Sequence, residues 1–92
     1  MKTVVINGKD IHGKDELHDV LQARLELGQT YGRNLDALWD CLTGFLPMPL
    51  TIQWIDFEAS RQSLGEYADQ LLDLMHEAEE ELEGFKFEIF ES

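Results

Sequence analysis

The feature of this sequence that most narrows its folding is an alternation of period. Three runs read as strands: Val4-Val5-Ile6, Leu50-Thr51-Ile52-Gln53-Trp54 and Phe85-Lys86-Phe87-Glu88-Ile89-Phe90. Between them lie segments whose apolar residues recur at helical spacing. Strand–helix–strand order favours parallel pairing, because a parallel neighbour is reached only through a long crossover. The expected fold is therefore α/β: a compact single domain, with a three-stranded parallel sheet and helices packed against it. A chain of 92 residues has room for one such domain, taken as residues 1–92. Val4-Val5-Ile6 is apolar at every position, which suits a strand covered on both faces. It is expected at the centre of the sheet, with the two alternating strands outside it.

The helical segments have recognisable ends. Leu17, Val20, Leu21 and Leu25 place an amphipathic helix over 14–25, closed by Gly28, and 28–33 reads as a loop. Asn34 is a good N-cap for a helix over 35–42, whose apolar stripe is Leu35, Leu38, Trp39 and Leu42. Cys41 falls off that stripe, and Thr43-Gly44 stops the helix. A short helix follows over 56–64. The longest spans 66–82, with Tyr67, Leu71, Leu74, Met75, Ala78 and Leu82 buried, and Gly84 ends it.

Charge and cysteine content exclude several functions. The formal net charge is −12, and ten acids against Lys86 alone fall in 66–92. Nucleic-acid affinity rests on neutralising phosphates, and anionic lipid likewise attracts basic segments, so neither is an expected partner. A basic protein is. Cys41 stands alone, so no intrachain disulfide is available, and no apolar run approaches the length of a signal peptide or membrane span. The chain reads as cytoplasmic. No residue pattern supports catalysis: Cys41 has no histidine close in sequence and lies near a helix C-terminus, where a thiolate is disfavoured. His12, His18 and His76 make no spaced metal-ligand set, and phosphate or dinucleotide glycine motifs are absent. No catalytic residue, metal or cofactor is expected, and 79–83 reads as a solvated helix face.

The informative block is Tyr31-Gly32-Arg33-Asn34-Leu35-Asp36-Ala37-Leu38-Trp39-Asp40. Asp36 and Asp40, four apart on one helix, repel each other by a few tenths of a kcal/mol. Carboxylates set against local stability have a use where a cation is awaited, although an ordinary solvated face has the same composition. Glu77 joins them only if the two helices are neighbours. Trp39 borders both the apolar stripe and the acids.

The block that continues through Cys41-Leu42-Thr43-Gly44 resembles the barstar family, intracellular inhibitors of the secreted ribonuclease barnase. Val4-x-Ile6-Asn7-Gly8, Pro49-Leu50, Glu77-Ala78 and the last strand align around it. The resemblance implies a one-to-one inhibitor that plugs the active site of a basic, guanyl-preferring ribonuclease and is a monomer when free. In that reading Asp40 occupies the place of a substrate phosphate, and Asp36 and Glu77 pair with nuclease cations. Thr30, Tyr31, Gly32, Asn34, Leu35 and Trp39 complete the contact, with Thr43, Gly44 and Phe45 on its far rim. A cis Met48–Pro49 bond is also implied. Thr30 stands where the family has a tyrosine, Arg33 where it has an acid and Phe45 where it has a tryptophan. These departures point to a cognate nuclease that differs from barnase and offers an acid opposite Arg33, and they keep open a module of the same fold directed at a different basic partner or toxin nuclease.

Overall fold

A computed structural model describes residues 2–91. Its strands are β1 (Lys2–Asn7), β2 (Leu50–Ile55) and β3 (Phe85–Phe90). Its helices are α1 (Lys14–Arg24), α2 (Leu35–Gly44), α3 (Phe57–Leu64) and α4 (Glu66–Glu81), with a 3-10 turn over Gly8–Asp10 after β1. All three strands are parallel, as expected. The order is β1-β2-β3, with Val4 beside Ile52 and Ile52 beside Phe87.

The strand expected at the centre is therefore at an edge, and β2 is central. Two crossovers of the usual hand, taken in one direction across the sheet, lay all their helices on the same face. That face buries Val4, Ile6, Leu50, Ile52, Trp54, Phe85 and Phe87. The opposite face is open, and Val5, which points into it, is 44% exposed. Alternation in β2 and β3 thus reports that one face is wet, and says nothing of position in the sheet. In β1 the β-branched Val5 hides the same alternation, because it serves strand conformation without being buried.

The core gathers Leu17, Leu21 and Leu25 of the α1 region, Leu38 and Leu42 of α2, and Leu71, Met75 and Ala78 of α4 against the sheet. Tyr67, Leu74 and Leu82 are only partly buried at its margin. Trp54 is fully enclosed, edge-on to Phe57 and Phe87 with ring centroids 5.5 and 6.2 Å away. Its Nε1 donates to Ser60 Oγ at 3.1 Å, and Ser60 Oγ donates to the Gly8 carbonyl at 3.3 Å. Gly8 packs so closely on the Asp56 carbonyl that a Cβ would collide with it. The Met48–Pro49 bond is cis. On the edge strand β3, the Phe87 amide donates to Glu79 Oε2 at 2.9 Å, so one acid of 79–83 has a structural duty.

Candidate functional site

The face built by α2 and the loop before it begins with a cap. Asn34, in extended backbone, accepts the Ala37 amide on its Oδ1 at 2.7 Å and donates Nδ2 to the Gly32 carbonyl at 3.3 Å. One side chain thereby fixes both the helix start and the end of the loop. The helix runs to Gly44, past the stop expected at Thr43-Gly44, and Phe45 is its C-cap. Thr43 tolerates the helix because its hydroxyl donates back to the Trp39 carbonyl at 2.8 Å.

Two hollows flank α2. A groove between α2 and α4 is lined by Asp36, Trp39, Gln70, Asp73, Leu74, Glu77 and Glu81, with a volume of about 580 Å³. A second hollow, of about 290 Å³, lies between α2 and the loop, where Thr30, Tyr31, Gly32, Asp40, Cys41 and Phe45 border it. Glu77 does share a groove with Asp36, as neighbouring helices allow, whereas Asp40 lines the other hollow. Trp39 is half-buried against the core, and its place in the groove wall fits both roles read for it. The sequence reading leaves out Asp73 and gives Glu81 only as part of the solvated face over 79–83, although Asp73, Glu77 and Glu81 are i, i+4 and i+8 on one helix and the spacing was legible.

The electrostatics are one-sided. Neither α2 nor α4 carries a lysine or arginine. The described ion pairs are Lys2–Glu26, Lys9–Asp56, His12–Glu16, Arg33–Asp19 and those of Arg61 with Glu58 and Asp69. None of them involves Asp36, Asp40, Asp73, Glu77 or Glu81. These carboxylates face solvent with no cation among the described residues to neutralise them.

Other expected site residues fall into distinct settings. Thr30, Gly32, Asn34, Thr43 and Gly44 are exposed, Phe45 is 58% exposed and Leu35 is half-buried. Tyr31 is buried, with only an edge on the second hollow. Its hydroxyl lies 2.8 Å from His18 Nδ1, while His18 Nε2 lies 2.8 Å from the Tyr67 hydroxyl. His18 thus ties the loop to α1 and α4. The sequence carried a hint of this, since His18 is three residues from Leu21 and seven from Leu25, on the buried stripe. Cys41 is also buried, contrary to its expected place off the stripe, because the loop packs over that side of α2. Burial, and then the Asp40 charge, push its thiol pKa up, which disfavours a nucleophilic thiolate.

His18 gives the fold a pH dependence. Burial first, then the Arg33 charge, hold its pKa below the ordinary value, against opposing pulls from Asp15 and Asp19. A neutral ring accepts from one tyrosine and donates to the other; a charged ring donates to both hydroxyls, so what opposes protonation is the burial of the charge. Below about pH 6.5 the unfolded chain binds the extra proton first, so stability falls as pH drops from there toward the folded-state value. The slope reaches at most about 1.4 kcal/mol per pH unit for one proton. Urea unfolding of the wild type and of His18→Gln across pH 7.5 to 5 measures it. The variant's stability should be flatter over that interval; parallel curves would exclude His18 as the source.

No helix among the described residues is long and apolar enough to cross a membrane. In the same residues no group of three or more His, Cys, Asp or Glu is placed to hold a metal ion. The site is thus an acid-lined helix and a pinned loop on a small one-sided α/β sheet. The chain belongs to the barstar family: the family model described as Barstar (barnase inhibitor) matches residues 1–91. It is also 49% identical over 82 residues to the Bacillus subtilis (strain 168) protein named "Putative ribonuclease inhibitor YrdF", covering 89% of this chain and 90% of that one. The family is one of inhibitors, not enzymes, and it implies a ribonuclease as partner.

Proposed function

We propose that this protein, a single domain spanning 1–92, inhibits a basic, secreted, guanyl-preferring ribonuclease of the barnase type by occluding its active site one-to-one. The observation that carries the reading is the set of five uncompensated carboxylates around the two hollows beside α2. A ribonuclease must expose a positive cleft to hold RNA, and acids on a rigid helix match that cleft. Asp40, at the wall of the smaller hollow, takes the place of a substrate phosphate. Asp36 and Glu77, sharing the larger groove, meet arginine or lysine side chains at its edge. Thr30, Gly32 and Asn34 contact the nuclease from the loop, Leu35 and Trp39 from the helix, and Thr43, Gly44 and Phe45 from the rim. Tyr31 acts from beneath, by holding the loop. The inhibitor works in the cytoplasm of the producing cell and is a monomer when free.

Arg33 lends no support to a partner with an acid opposite it. Its guanidinium is turned back onto α1, where it bonds Asp19, Gln22 and the Asp15 carbonyl.

Calorimetric titration into a barnase-type ribonuclease, paired with an RNA-cleavage assay, tests the proposal. One-to-one binding that stops cleavage is expected. The association rate should fall steeply as salt is raised, because the −12 charge steers the encounter with a basic enzyme. Inhibition whose association rate ignores salt would remove the electrostatic basis of the reading, and absence of binding at low salt would direct it to another nuclease.

A further inference from the structure

The loop that presents Thr30, Gly32 and Asn34 is fastened to α1 by side chains outside the proposed contact. Arg33 Nη1 donates to Gln22 Oε1 at 2.8 Å, and Nη2 donates to Asp19 Oδ1 at 2.7 Å and to the Asp15 carbonyl at 3.0 Å. Gln22 in turn donates its Nε2 to the Gly28 carbonyl, so one amide side chain holds both ends of the loop. Asp15, Asp19 and Gln22 are i, i+4 and i+7 on α1 and form a row along one side of that helix. Arg33 itself has φ +58°, a left-handed conformation that is unfavourable for a non-glycine residue.

We propose that Arg33 is a positioning residue, latching the loop onto α1 and thereby fixing the shape in which Thr30, Gly32 and Asn34 meet the nuclease. This deepens the inhibitor reading and rests on it. The Asp19–Arg33 pair is exposed and adds little to global stability. Its effect is on the population of one loop shape. Where only a fraction of molecules holds the competent loop, apparent affinity and encounter success fall by that fraction.

The latch and the charge of Arg33 predict opposite results, which makes the test sharp. Arg33→Ala raises the negative charge by one, so steering alone would speed association with a basic nuclease. A lost latch slows it, by about three- to tenfold if the competent fraction falls to between a third and a tenth. Stopped-flow association with a barnase-type ribonuclease is compared for wild type, Arg33→Ala, Asp19→Ala and the double variant, whose net charge equals the wild type's. The expected pattern is slower association for each single variant, with a smaller loss from Asp19→Ala in the Arg33→Ala background than in the wild type, what remains being the steering lost with one negative charge. Faster or unchanged association for Arg33→Ala overturns the proposal. So does a loss from Asp19→Ala that persists undiminished in the Arg33→Ala background.

A second measurement, on the free inhibitor, separates failure of the latch from failure of the nuclease reading. Backbone ¹⁵N relaxation of Thr30–Asn34 and hydrogen exchange at the Ala37 amide report loop and cap order directly. Greater motion in Arg33→Ala with the sheet unchanged supports the latch even if no ribonuclease binds. Identical relaxation in the two proteins overturns it.

Discussion

Alanine at Asp40 is expected to weaken binding to a barnase-type ribonuclease by about 2–5 kcal/mol, on the order of thirty- to several-thousand-fold. That range is for truncating one member of a buried, hydrogen-bonded charge pair, and barnase–barstar pairs themselves contribute to it. The reason is mostly on the nuclease's side. In the free inhibitor Asp40 is exposed and has no ion pair among the described residues, so its removal strands nothing at home. In the complex it leaves the partner's cations desolvated and unanswered. The free protein should be as stable as before or slightly more so. Its i, i+4 repulsion with Asp36 is gone, and alanine is the better helix former. Titration calorimetry and urea unfolding on the same variant check both halves. Unaltered affinity would remove Asp40 from the centre of the interface. Lost affinity accompanied by lost stability would mean that the helix itself had been damaged.

Trp54→Ala should behave in the opposite way. The side chain is fully enclosed on the central strand, edge-on to two phenylalanines and bonded through Nε1 to Ser60. Truncating such a residue costs about 3–5 kcal/mol, through lost burial and the cavity left behind. A chain of this length has about 5–14 kcal/mol in total, so the urea midpoint should fall by a large fraction. Trp54→Phe keeps most of the bulk and loses the indole donor, and it should recover the larger part of that loss. The indole is fully buried and lines neither hollow beside α2, so the fraction still folded should bind a nuclease with wild-type affinity. A stability loss below about 1 kcal/mol would contradict the reading of Trp54 as the main core residue of β2.

Much of this was legible in the residues. Strand and helix periods located all three strands and the main helices to within a few residues. Asn34 marked the start of the site helix, and Gly28 and Gly84 marked turns that do adopt positive φ. Asp36, Asp40 and Glu77 were recognisable as carboxylates off the apolar stripes. These are one-dimensional properties: a cap, a turn or a stripe is set by residues within one or two helical turns of each other. The resemblance to the barstar family rested on the same kind of local block.

What the tertiary structure alone decided concerns which surfaces meet. Period two in a strand tells that one face is wet, so it could not say that β1 is an edge and β2 the centre. The helix wheel put Asp36 and Asp40 together, yet α4 and the loop close different hollows over them. Cys41 lies off the stripe and is still buried, because the loop covers it. The His18 bonds to Tyr31 and Tyr67 span 13 and 49 residues, and Arg33 reaches back 14 to Asp19. A polar side chain's partner is fixed by how packed elements approach in space, and local sequence carries no record of that distance. The acids and the helix that holds them were written in the sequence; the loop that frames them acquires its shape only when α1 and α4 close around it.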